Sequence, residues 1–276
     1  YQTIGEFVRL RKQNFTVDYA PGTFLTAREV FDATGVNALT TMSAALLGNM
    51  WPNGAKTIRI VKPDTLEASS SITSYFKQVS QLVTNAMDHP KARLSLALDE
   101  FENDMGAFGT CGIAIYDTEN KDAPVAYKVW DIKTMLVDED KNGVIDTIFY
   151  PFKLSVRQVV DEYGYKRVSK KTQKLFDDGK FDTPVKLLHA IIPRTFAEQK
   201  KGGKTNEGMP IGSYHIEVDA KHLIRESGYK QPPVVVGRFY KVPGEKYGRS
   251  PAMQALPDII ELNAVRESKM LATEKM

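Results

Sequence analysis

Near residue 110 the spacing of apolar residues changes period, and that change restricts the chain to an α+β architecture. Before it, apolar side chains recur by threes and fours: Ile72, Phe76, Val79 and Val83, then Leu94, Leu98, Phe101 and Met105. Such spacing gathers them on one face of a helix. After it, residues 113–116, 125–137 and 144–152 alternate as half-buried antiparallel strands do. Gly106, Gly109 and Gly112 stand at the changeover and are expected to end the helix and start a strand.

Local signals fill in the order of elements. Residues 4–13 carry Ile4, Phe7, Val8 and Leu10 as the apolar stripe of a short helix. Thr26 with Glu29 forms a capping box, and Leu25 with Val30 occupies the staple positions. That helix is expected to run past Gly35, where it could break, to about Leu47, before a turn at Trp51-Pro52-Asn53-Gly54. Residues 57–61 alternate like a short strand, 65–87 read as a helix, and Pro90 suits the first position of the next one. Ser155 with Gln158 makes a second capping box, stapled by Leu154 and Val159. A short helix follows at 170–177. Residues 185–196 and 211–218 are expected to pair as a hairpin around Lys200-Lys201-Gly202-Gly203-Lys204, with a later strand over 232–240.

The last thirty residues read differently. Ser250 is the N-cap and Pro251 the first residue of a helix that Pro257 should kink or restart. Beyond it Ile259, Leu262, Val265 and Lys269 fall on one side, and no closing cap follows. The chain starts without Met and stops in good helix formers, so a fragment of a longer protein is expected.

Composition narrows the functional classes. A net charge of +3 on 276 residues is too small to mark a nucleic-acid binder by itself. The single cysteine, Cys111, lies in an apolar stretch and reads as a buried small side chain, and it excludes an intrachain disulfide or a multi-cysteine metal site. No apolar run reaches the ~18 residues of a membrane span, and no signal peptide is visible.

Residues 138–146 come nearest to a site. Asp138, Asp140 and Asn142, with Gly143, Ile145 and Asp146, match six positions of an EF-hand loop. The twelfth, which closes the calcium shell with Glu, is Phe149, and the flanks read as strands where helices are required. Asn142-Gly143 equally suits a hairpin turn. The glycines at 106, 109 and 112 lie between helix and strand, the reverse of a phosphate loop. The four histidines, His89, His189, His215 and His222, are scattered, no GxSxG elbow occurs, and the carboxylates are expected on the surface. Neither catalysis nor a cofactor is indicated. One basic stretch, Lys166 to Lys204, includes Lys170, Lys171, Lys174, Lys186, Arg194, Lys200 and Lys201 and reads as a solvated face or a phosphate-facing or partner-facing patch.

The run Pro232-Pro233-Val234-Val235-Val236-Gly237-Arg238-Phe239-Tyr240-Lys241-Val242-Pro243-Gly244-Glu245-Lys246-Tyr247-Gly248-Arg249-Ser250-Pro251 closely resembles the head-to-tail connecting (portal) proteins of podovirus-type bacteriophages. In that family an Arg-aromatic strand, a Gly-Glu turn and a Tyr-Gly-Arg step lead into a stem helix. The helical region near Trp51-Pro52, the helix-to-strand junction Asp104–Thr110, the acidic hairpin and the helix after Leu154 fall in the same order.

The resemblance implies a wing domain over 1–249 and the first stem helix over 250–276, with Tyr247, Gly248, Arg249 and Pro251 as the junction. Asp258, Glu261, Arg266 and Lys269 become the channel candidates. It implies a homo-oligomeric, dodecameric ring at a capsid vertex of the virion, assembled in the host cytoplasm. Double-stranded DNA would pass without sequence specificity, and capsid, terminase and tail adaptor proteins would be partners. A metal-dependent or calcium-binding module on the 138–146 loop, or a tail-adaptor protein, is the alternative.

Overall fold

The computed structural model describes residues 1–10, 30–52, 58–64, 69–118, 120–121, 123–203 and 205–275. The capping box at Thr26 and Glu29 lies outside them, as does the Asn53-Gly54 turn. The fold is α+β, and the chain forms two compact units: Tyr1–Val129 with Val236–Met276, and Trp130–Val235.

The first unit is built around one helix. The helices here are α1 (Gln2–Phe7), α2 (Thr34–Met50), α3 (Ser70–Asp88), α4 (Leu94–Phe108) and a C-terminal one, α8 (Pro251–Glu274). Each of the others packs on α4. Small residues permit close helix packing: a Cβ on Gly106 would lie 2.3 Å from Met42 Cε, and one on Gly35 3.1 Å from Ile259 Cδ1. Strands β1 (Thr110–Asp117), β2 (Val125–Trp130) and β8 (Val234–Arg238) form a sheet in the order β2-β1-β8. Cys111 is fully buried in β1.

Four expectations for this unit are corrected. Residues 30–33 are not helical, and α2 starts at Thr34. Residues 58–61 form no strand; the Ile60 N–H is donated to Ser80 Oγ of α3 at 2.9 Å instead of to a strand partner. Pro90 sits in a turn closed by the Ala92 N–H on His89 O, and α4 begins only after Arg93, whose φ is +60°. Gly106 does not end α4; Gly109 does, with φ +75° and its N–H on Met105 O. A left-handed residue is the ordinary stop for a helix, and glycine reaches it without steric cost.

The second unit is a five-stranded antiparallel sheet, β3-β4-β5-β6-β7, formed by β3 (Leu136–Glu139), β4 (Ile145–Ser155), β5 (Pro184–Pro193), β6 (Ile211–Glu217) and β7 (His222–Tyr229). Helix α5 (Val156–Tyr163) opens with the capping box at Ser155 and Gln158, and α6 (Lys170–Asp177) follows. Val156, Val159 and Tyr163 pack with Val185, Leu187 and Ile224 into one core cluster. Strands β5 and β6 pair as expected, but the connection between them holds α7 (Phe196–Gly202), opened by a third capping box, Thr195 with Glu198.

Candidate functional site

The segment from Arg238 to Pro251 returns the chain to α4 and launches α8. Val242-Pro243-Gly244-Glu245 closes a turn through the Glu245 N–H on Val242 O, with Gly244 at φ +83°. Proline then glycine at the central positions is the type II arrangement. The two arms beyond it pair at Tyr240 and Arg249, whose N–H groups are donated to each other's carbonyls at 3.0 and 2.8 Å. Arg249 also grips Glu245, its Nε 3.0 Å from Oε2, and this ion pair pulls the Glu245 carboxyl below its ordinary range. The pair is exposed, so it orders the turn more than it stabilises the fold.

The start of α8 is held from inside. Gly248 donates its N–H to Thr110 Oγ1 at 2.7 Å, and Phe239 donates its N–H to Gly109 O at 2.9 Å. Ser250 Oγ accepts from Met253 N–H at 3.0 Å and donates to Ala107 O at 2.7 Å. One fully buried hydroxyl thus caps the N-terminus of α8 and satisfies a carbonyl in the last turn of α4. Pro251 follows at the first helical position, where its missing N–H costs nothing. A cavity of about 500 Å³ beside the junction is lined by Tyr1, Glu245, Tyr247, Gly248, Arg249 and Met253. Burial, then the Tyr247 and Glu245 charges, push the Tyr1 hydroxyl pKa up. The groups that meet here are amides, carbonyls and hydroxyls bonded to one another, and their effect is to aim a helix.

Helix α8 is continuous through Pro257, so the expected restart does not occur. At about 100° per residue, Ala252, Leu256, Ile259 and Asn263 share one face. Ala252 and Asn263 are buried and Ile259 packs on Gly35. Asn263 Oδ1 accepts the N–H groups of Phe31 (2.7 Å) and Asp32 (3.2 Å), fixing the entry to α2. Ile259 therefore does not share a side with Leu262 and Val265, which are exposed. Asp258 and Lys269 lie on the exposed flank with Leu262 and Val265; Glu261 lies on the face away from the buried one. Arg266 lies nearer Asp32, whose carboxyl is lowered by the Thr34 hydrogen bonds and, less, by Arg266. From Ala264 to Lys275 every side chain is exposed.

The loop containing Asp138, Asp140 and Asn142 is a β3–β4 hairpin, with Asp138 opposite Thr147 and Gly143 at φ +76°. Asp140 Oδ1 accepts the N–H groups of Asn142 and Val144 at 2.8 and 2.9 Å, and Oδ2 accepts Asn142 Nδ2 at 3.1 Å. Among the described residues no group of three or more His, Cys, Asp or Glu side chains could hold a metal ion. No described helix is long and apolar enough to cross a membrane.

Three sets of polar residues escaped the reading of the sequence. His189 and His215 stack at 4.1 Å as cross-strand partners, with Trp130 edge-on to His189 and Tyr163 against His215. Burial and neighbouring positive charge depress their pKa values to about 3 and about 4. Glu102, Asp104 and Glu217 are buried rather than on the surface; Asp104 pairs with Arg9 Nε at 3.2 Å, and burial raises the Glu102 carboxyl. Arg194 leaves the basic stretch altogether. Its guanidinium is buried, donating to Tyr214, Glu226 and the carbonyls of Asn206, Met209 and Ser227. Lys170, Lys171, Lys174, Lys186, Lys200 and Lys201 remain exposed, and Lys204 lies outside the described residues.

Bacteriophage head to tail connecting proteins, as a family, match residues 1–276. The probable portal protein of Bordetella phage BPP-1 is 28% identical over 234 residues, which cover 84% of this chain and 41% of that protein. The portal protein of Salmonella phage epsilon15 is 25% identical over 251 residues, covering 90% of this chain and 44% of that protein. The chain spans less than half the length of the curated relatives it matches.

Proposed function

The chain belongs to the family of bacteriophage head to tail connecting proteins, and from that premise we propose that it is part of a portal subunit, a structural component rather than an enzyme. Twelve copies would form a closed ring at one vertex of the capsid, through which double-stranded DNA is packaged and later released. Residues 1–249 would act as the wing and 250–276 as the first stem helix beside the channel. Capsid shell, terminase and tail adaptor proteins would dock on the assembled particle, which would form in the host cytoplasm.

The observation that carries this reading is the buried junction at Thr110, Gly248 and Ser250, from which a helix of 24 residues emerges that the described residues leave exposed on all sides from Ala264 onward. An isolated helical segment that short is marginal in water and holds its shape best against neighbours. A ring of identical chains supplies them through heterologous contacts that close on themselves. Passage also requires that phosphates not be held tightly, since each neutralised phosphate adds to affinity. Asp258, Glu261, Glu267 and Glu274 set against Arg266, Lys269 and Lys275 keep the helix near neutral.

The test is the mass and the image of the purified full-length protein. A ring with an axial channel, of about twelve times the subunit mass, is expected. A monomer at assembly concentrations, with no ring in electron micrographs, overturns the reading.

A further inference from the structure

On the premise of that ring, we propose that α8 contacts a second copy of this chain on each of two opposite flanks, leaving Glu261 and Ser268 on the face between them that borders the channel. Four faces can be told apart on α8. The first, Ala252, Leu256, Ile259 and Asn263, is turned to the chain's own body. One flank carries Asp258, Leu262, Val265 and Lys269, and the other Ile260, Ala264, Glu267 and Leu271. Each flank repeats at alternating intervals of three and four, the spacing that lets one helix seat knobs into the holes of another. Their centres stand about 160° apart around the helix, measured through Glu261 and Ser268.

Both flanks expose apolar surface that the described residues leave uncovered. Val265 is 58% exposed, Leu262 41%, Leu271 50% and Ile260 40%. A helix that meets one partner needs one such stripe. Two stripes on opposite flanks fit a helix standing between two neighbours, as every member of a ring does. The flanks are also complementary. Leu262 and Val265 of one copy fall level with Ile260 and Ala264 of the next when the helices run parallel, and Lys269 then falls within one turn of Glu267. Within its own chain neither Lys269 nor Glu267 forms an ion pair with a described residue. The fourth face, with Glu261 and Ser268, lacks large apolar side chains and points away from the body.

The test uses cysteine pairs in the full-length protein. Within residues 1–276 the one natural cysteine, Cys111, is fully buried, and cysteines elsewhere in the full-length protein are replaced by serine. Rings of the Ala264→Cys/Val265→Cys protein, treated with a short bis-maleimide, should give a ladder of covalent oligomers in denaturing gels. The Glu261→Cys/Ser268→Cys protein should react with a single-site maleimide yet give no ladder. Lys269→Glu should reduce ring yield by about tenfold, because a small pair energy recurs around the ring. Adding Glu267→Lys should restore it. Rings that form but give no ladder from the 264/265 pair overturn the flank assignment and leave the ring intact. That result includes the case in which another segment of the longer chain covers both flanks. Failure of the unmodified protein to form rings overturns the premise instead.

Discussion

Gly109 and Gly248 approach so closely that neither has room for a side chain. A Cβ on Gly109 would lie 2.5 Å from Gly248 O, and one on Gly248 would lie 2.4 Å from Gly109 O. Both obstructions are backbone, pinned by hydrogen bonds to Thr110 and Phe239, so they cannot swing aside. Gly109 also needs φ +75°. Alanine at either position is expected to destabilise the protein by about 3 kcal/mol through overpacking, with added backbone strain at 109. Urea midpoints measure this. Alanine at Gly179, where nothing among the described residues lies near a Cβ and φ is +74°, carries strain alone and should cost about 1 kcal/mol.

The stacked histidines make the second unit acid-sensitive. With folded-state pKa values of about 3 and about 4 against an ordinary 6.5, both rings stay neutral in the fold. Below pH 6.5 the unfolded chain takes up protons that the folded chain refuses. Stability is therefore present above that pH and falls as pH drops towards 4. At pH 5 the loss should be about 2 kcal/mol per histidine. His215 Nδ1 is buried without a hydrogen-bond partner among the described residues, so His215→Phe removes no bond there and should remove its share of the slope. Equal denaturation midpoints at pH 7 and pH 5 in the unmodified protein would count against this account.

Elements governed by neighbours in sequence were legible, and those governed by distant contacts were not. The capping box at Ser155 and Gln158, the Asn142-Gly143 hairpin and the Ser250-Pro251 start work within four residues, and such chemistry is written locally. The strand expected at 57–61 failed for the opposite reason. Its alternation is real, but its amide at Ile60 meets a serine on α3 instead of a strand. The stacked histidines were within reach: a hairpin centred on Gly202 sets His189 and His215 opposite, thirteen residues to either side. Burial of Glu217 and Arg194 had no such signal, because their partners lie in other elements.

Calcium should leave the melting temperature unchanged. Asp140 spends both carboxylate oxygens on amide donors of its own turn, and those hydrogen bonds, led by that from Val144, lower its pKa. The position that would close a calcium shell is Phe149, paired with Leu136 across the hairpin. A calcium-dependent rise in melting temperature that disappears in Asp140→Ala would revive the metal-binding alternative.

Glu217 is buried at the end of β6 and anchors α6 to the sheet. Its Oε1 accepts the Ser169 N–H at 2.8 Å; its Oε2 accepts the Thr172 hydroxyl at 2.8 Å and the Ser169 hydroxyl. Ser169 Oγ in turn accepts the Thr172 N–H, so the N-cap of α6 is oriented by a residue far away in sequence. The carboxylate faces three donors with acceptors only. Glu217→Gln keeps the shape but turns an NH2 towards those donors, leaving buried groups unsatisfied at about 2–3 kcal/mol. Glu217→Ala adds a cavity and should cost more, about 4 kcal/mol. Ser169→Ala loses one cap, about 1 kcal/mol. Amide exchange should show α6 opening first in all three. A Gln variant with the parent's urea midpoint and α6 protection would mean that the buried charge is not what holds the helix in place.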